Sequence, residues 1–151
     1  MEGDEMSVRR YAEDTKVPVE QSRAEIERTL QRYGATAFAF FSEAGKAIIV
    51  FQAKDRRVRF DLPLLHKAGP ENNAETRTRE QDTRRKWRAL LLCIKAKLES
   101  VASGIETFEE AFLAHIVLPD GETVGGHTIP RIAAAYRGEP LQPLLPPPRK
   151  P

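Results

Sequence analysis

One cysteine in 151 residues leaves no disulfide and no thiolate metal framework. Cys93 stands among Leu90, Leu91, Leu92 and Ile94, the setting of an inert buried thiol. No apolar run approaches the ~20 residues of a membrane span. The first ten residues, MEGDEMSVRR, are acidic and polar and lack the apolar stretch of a secretory leader. The expectation is a cytoplasmic protein with no membrane contact.

Catalytic signatures are equally scarce. His66, His115 and His127 have no metal-ligand spacing and no carboxylate close by in sequence. Ser7, Ser22, Ser42, Ser100 and Ser103 have no nucleophile-elbow context. Gly125-Gly126 follows no clear strand, so it is not read as a phosphate loop. No catalytic residue, cofactor or metal is expected, and a binding protein is favoured over an enzyme.

The net charge is only +2, because 24 bases face 22 acids. Their distribution says more. Thr76 to Arg88, TRTREQDTRRKWR, holds six bases against two acids and leads into the apolar-periodic ALLLCIKAKLESV. A basic cluster at the start of an ordered helix is the footprint expected for a polyanion. Strand-like RRVRFDLPL adds Arg57 and Arg59. The candidate phosphate-binding set is therefore Arg57, Arg59, Arg77, Arg79, Arg84, Arg85, Lys86 and Arg88. On a helix, Arg84, Arg85, Arg88 and Lys95 would share one side. Replacing Arg84, Arg85 and Arg88 by alanine is expected to leave the fold intact and to weaken polyanion binding.

The periodicities predict an α+β domain over 19–138. A loosely ordered lead-in over 1–18 precedes a helix from Glu20 to Tyr33 with Ala24, Ile26, Leu30 and Tyr33 on its dry face. Strands follow over Thr36–Ser42, Lys46–Ala53 and Arg56–Leu64, making a three-stranded antiparallel meander with Gly45 in the first turn. Residues 66–80 carry almost no apolar side chains and read as a mobile loop. A long helix over Gln81–Ser103 repeats Trp87, Leu91, Ile94, Leu98 and Val101. Two shorter helices complete three packed on the sheet. One is capped at Thr107, and the other starts at Thr123 or Thr128 and ends near Arg137. The tail from Glu139, with six prolines in 13 residues, should be extended and disordered.

Arg57 and Arg59 alternate with Val58 and Phe60, so they face away from the core. If Phe41 shares that outer face, an aromatic lies beside two arginines, a combination suited to single strands. If helices cover both faces, all four of Phe38, Phe40, Phe41 and Phe51 are core. Trp87 begins the apolar seam and reads as an anchor more than a stacking residue. A restriction-type nuclease, even a degenerate one, is a distant reading. Gln52-Ala53-Lys54 ends the second strand and Glu43 precedes it, but two-metal chemistry needs converging carboxylates.

The blocks RKWRALLLCIKAKLESVASGIETFEEAFLAHIVLPDGETVG and Tyr33–Leu64 resemble a group of small uncharacterised proteins encoded in bacteriophage and prophage genomes. The similarity covers about 20–138 and implies a phage setting without an activity or site residues to transfer. Three antiparallel strands followed by a long helix are also similar, at fold level, to single-strand annealing proteins of the Rad52 and Redβ kind. These likenesses and the basic cluster converge on a non-catalytic nucleic-acid-binding accessory of phage replication or recombination. DNA is expected over RNA, and there is room for a homo-oligomer. The alternative is a module that binds a host or phage protein through the basic helix or the proline-rich tail.

Overall fold

The structure, a computed structural model, describes residues 12–148. Helix α1 (Val19–Arg32) leads into strands β1 (Ala37–Glu43), β2 (Lys46–Ala53) and β3 (Arg56–Pro63). Helices α2 (Asn73–Ala102) and α3 (Phe108–Phe112), a 3-10 turn (Leu113–His115) and α4 (Val124–Tyr136) follow. The class is α+β, and the sheet is antiparallel in the order β1-β2-β3.

Alternation along the strands decides which face is dry. Ala47, Ile49, Phe51 and Ala53 of β2 are buried, and the register sets Phe51 between Phe38 and Val58 and Ile49 between Phe40 and Phe60. α1 contributes Ile26 and Leu30 to this core, and α2 contributes Trp87, Leu90, Leu91, Ile94 and Leu98. Both hairpins are tight. Gly45 takes positive φ at the first, as expected, whereas Lys54 and Asp55 both adopt it at the second (φ 51° and 59°). Positive φ at two adjacent non-glycine residues is the conformation of a type I′ turn, and it is strained without glycine or asparagine.

The loop expected over 66–80 is shorter than predicted. α2 begins at Asn73, so Arg77 and Arg79 lie on helix. Asn72 caps it, accepting from the Glu75 amide at 2.8 Å while Glu75 accepts from the Asn72 amide at 3.3 Å. The buried residues of α2 all lie at Trp87 or beyond, and Cys93, expected to be buried among its leucines, is instead exposed on the helix's outer side. Its first half is held by polar contacts rather than by an apolar stripe. The lead-in is also tied down from residue 12, because Gln81 Nε2 donates to the carbonyls of Glu13 (3.2 Å) and Thr15 (2.9 Å). The part of the lead-in over 1–11 lies outside the described residues, as does the tail's last segment, 149–151. Residues 139–148 form neither helix nor strand.

α3 is capped by Thr107 as the sequence predicts, and Lys97 Nζ donates to its Ala111 carbonyl at 2.9 Å. Of the two candidate caps for the last helix, Thr123 is the one used, which leaves Pro130 inside α4. α4 rests mainly on the 3-10 turn rather than on the sheet. Gly125 permits the approach, since a Cβ there would lie 2.8 Å from the Ala114 carbonyl oxygen. The outward side of α4 carries Ile129, Ile132 and Tyr136, all exposed.

Ser22 on α1 is fully buried, and its hydroxyl has no hydrogen-bond partner among the described residues. A buried unsatisfied hydroxyl costs stability, and alanine is the better helix former. Ser22→Ala is expected to hold stability level or raise it by up to about 1 kcal/mol in urea unfolding. A clear loss would mean that the hydroxyl is satisfied in solution.

Candidate nucleic-acid interface

The side of the sheet turned away from α1 and α2 is open. Reading across the strands, its rows are Phe41, Ile48 and Asp61; Ala39, Val50 and Arg59; and Ala37, Gln52 and Arg57. Phe41 is 55% exposed on this face, whereas Phe38 and Phe40 point inward and pack edge-to-face at 4.1 Å. Phe41 and the second and third rows line a shallow groove of about 430 Å³ whose far wall is formed by Val117 and Gly121. The wall is a small hairpin that extends the sheet past β3. It is built from the Val58–Ile116 and Val117–Thr123 bridges and the Val117 amide donating to the Arg57 carbonyl at 2.8 Å.

Arg59 is partly engaged here. Its guanidinium donates to the Gly121 carbonyl at 2.9 Å and lies 3.6 Å from Asp61. Arg57 is exposed, and no carboxylate pairs with it among the described residues. The face thus offers one free guanidinium, one bridging guanidinium and an aromatic ring with an accessible π surface. The sequence condition on Phe41 is met.

The basic half of α2 is arranged differently. Arg85 and Lys86 reach Asp82 at 2.7 and 3.3 Å, and the Leu65 amide donates to the same carboxylate at 3.2 Å. Arg88 pairs with Glu25 of α1 at 3.1 Å, with Lys95 at 4.0 Å from the same group. Arg79 makes a forked contact with Glu71, its Nη2 at 2.8 Å and its Nε at 3.1 Å. Arg84 donates to Gln81 Oε1 at 2.7 Å. Arg77 alone of this group is exposed without a partner among the described residues. These cations stitch α2 to α1 and to the β3–α2 connection. Arg84, Arg88 and Lys95 lie on the α1 side, and Arg85 turns toward Asp82 and Leu65. Removing Arg84, Arg85 and Arg88 would strip partners from Glu25 and Asp82, so the fold is not indifferent to them, against the expectation stated above.

The carboxylates record these contacts. Burial works against the charge of Asp82, yet Arg85, the Leu65 amide and Lys86 together hold its pKa below the ordinary 3.8. Glu25 likewise falls below 4.5, with burial outweighed by Arg88, Gln21 and Lys95. A carboxyl whose folded pKa is depressed stabilises fully above its unfolded value and loses that contribution as pH falls through the folded one. The midpoint of urea unfolding should therefore drop as pH falls below about 4. Asp82→Asn should be less stable than the parent at neutral pH and show a shallower fall in acid. An unchanged acid limb in that variant would remove Asp82 from the account.

Trp87 is 3% exposed and meets Phe40 edge-to-face at 5.4 Å, so it anchors α2 and offers no surface for stacking. Glu43 pairs with Lys46 at the end of β1 opposite Ala37, whose cross-strand neighbour is Gln52. Six residues of strand, about 20 Å, therefore separate Glu43 from Gln52, and the nuclease constellation is not assembled. Among the described residues no cluster of His, Cys, Asp or Glu could hold a metal ion. No helix is long and apolar enough to cross a membrane among them.

Two features escaped the sequence reading. His127 Nε2 lies 2.7 Å from Asp120 Oδ2, a pairing seven residues apart that depends on the turn at Gly121. Asp120 also accepts from the Glu122 amide at 3.0 Å, so the pair closes the turn before α4. His115 stacks on Phe60 at 4.0 Å, and burial, helped by Lys97, pushes its pKa below 6.5. No protein-family model matches this chain, and neither a curated protein nor a solved structure matches it significantly.

Proposed function

We propose that the protein binds single-stranded nucleic acid across the outer face of its sheet, without catalysis. The observation that carries this reading is the exposed Phe41 and the exposed Arg57 at diagonally opposite corners of one sheet face, with Arg59 in the row between them, on a face that no helix covers among the described residues. A base can stack on Phe41 whatever its identity, and Arg59 and then Arg57, one and two rows further along the face, can meet backbone phosphates of the same strand. Such contacts carry little sequence information. DNA in phage replication or recombination is the setting implied by the resemblance described above. The basic stretch of α2 supports the reading less than its charge suggests, because most of it is neutralised within the chain.

A second reading rests on α4. Its exposed Ile129, Ile132 and Tyr136 form an apolar stripe suited to a host or phage protein. Fluorescence anisotropy with labelled single-stranded and duplex DNA, from about 50 to about 200 mM salt, separates the two readings. Nucleic-acid binding predicts single-strand preference and affinity that falls as salt rises. Absence of binding at the lower salt would leave the α4 reading.

A further inference from the structure

The two edges of the sheet are finished differently. Along β3, Arg56, Arg57, Arg59 and Pro63 interrupt the edge, and the 116–123 hairpin bridges to it at Val58. Charges, proline and a covering segment are the means by which natural sheets protect an edge. β1 has none of these over Ala37–Ser42, which reads AFAFFS. It pairs one-to-one with β2 at seven positions without a bulge, and nothing pairs with its far side among the described residues. A regular, apolar, uncharged edge of this length is a template for another strand.

We propose that β1 pairs antiparallel with β1 of a second copy of this chain, joining two three-stranded sheets into one of six strands. The strand is its own complement. Pairing about a two-fold axis at Phe40 sets Ala39 against Phe41, Phe38 against Ser42, and Ala37 against Glu43. The two Glu43 carboxylates then fall at opposite ends of the junction, so no like charges meet. The rival occupant within the chain is the 1–11 segment, MEGDEMSVRRY, whose five charged residues match this strand poorly. The junction would bring both copies' Phe41 onto one continuous outer face. The inference rests on the edge and not on the nucleic-acid reading, so its test contains no nucleic acid.

Sedimentation equilibrium of the full chain, over micromolar to submillimolar concentrations, should show the mass rising from one chain toward two. Hydrogen exchange should show β1 amides gaining protection over the same range. Ser42→Lys places a charge at an exposed position on this edge. It should weaken association by about tenfold or more while leaving the thermal melt in place. Should that variant fail to fold, Ala37→Lys at the strand's other exposed end makes the same test. A chain that stays monomeric with fast-exchanging β1 amides would overturn the proposal. So would association that neither lysine weakens, which would point to α4. Concentration-independent protection of β1 that vanishes when residues 1–11 are removed would assign the edge to the chain's own segment and would also overturn it.

Discussion

Phe112→Ala is expected to destabilise the fold by about 3–5 kcal/mol, the usual cost of emptying a phenylalanine site in a core. Phe112 is fully buried, 5.7 Å from Phe51 and 6.3 Å from Phe60, ring centre to ring centre, and 4.8 Å from Phe108. It is where α3 locks onto β2 and β3. Lys97 Nζ lies 5.9 Å over the same ring and donates to the neighbouring Ala111 carbonyl, so the cavity would also loosen a polar contact of α2. Against a total stability of about 5–15 kcal/mol, such a loss should lower the melting temperature by on the order of 10 °C. Phe41→Ala is the internal control, because that ring is 55% exposed and fills no cavity. Its cost should stay within about 1 kcal/mol. Equal losses from the two substitutions would contradict the assignment of faces to β1.

That assignment shows what local pattern can and cannot carry. The strict alternation of Val58, Phe60 and Leu62 with Arg57, Arg59 and Asp61 placed the arginines outside without any structure. Phe40 and Phe41 are adjacent, so one must face outward, but whether a helix covers the outward one depends on where α2 and α4 pack. The start of α2 was missed because its first half, Asn73 to Lys86, is held by a capping box and ion pairs and has no apolar period. The Asn72-x-x-Glu75 pair was the available signal. The internal pairing of the basic cluster is only partly legible in the sequence, for a related reason. Asp82 sits three and four residues from Arg85 and Lys86 and is visible as a local partner, whereas Glu25 reaches Arg88 across 63 residues. Only the folded chain brings that acid to the helix. The 116–123 hairpin rests on two isolated bridges, too short to leave a strand pattern.

The second large effect concerns the outer face. Removing an aromatic on which a base stacks costs about 1–3 kcal/mol per base, roughly five- to 150-fold in affinity. Phe41→Ala should therefore weaken single-strand binding within that range while sparing the fold. Arg57→Ala removes one phosphate contact and should flatten the dependence of log affinity on log salt by about 0.7. Arg57 has no ion-pair partner among the described residues, so this change removes no internal salt bridge. Arg85 and Arg88 cannot serve as equally clean probes, because each also holds a carboxylate of the fold.

The most direct measurement is anisotropy of a labelled single-stranded DNA titrated in parallel with the parent protein, Phe41→Ala and Arg57→Ala, after their melts have been shown to coincide. The account predicts salt-sensitive binding by the parent, a loss of at least about fivefold for Phe41→Ala, and a shallower salt slope for Arg57→Ala. Parent-like affinity and slope in both variants would contradict it, and would move any nucleic-acid contact away from the outer face of the sheet.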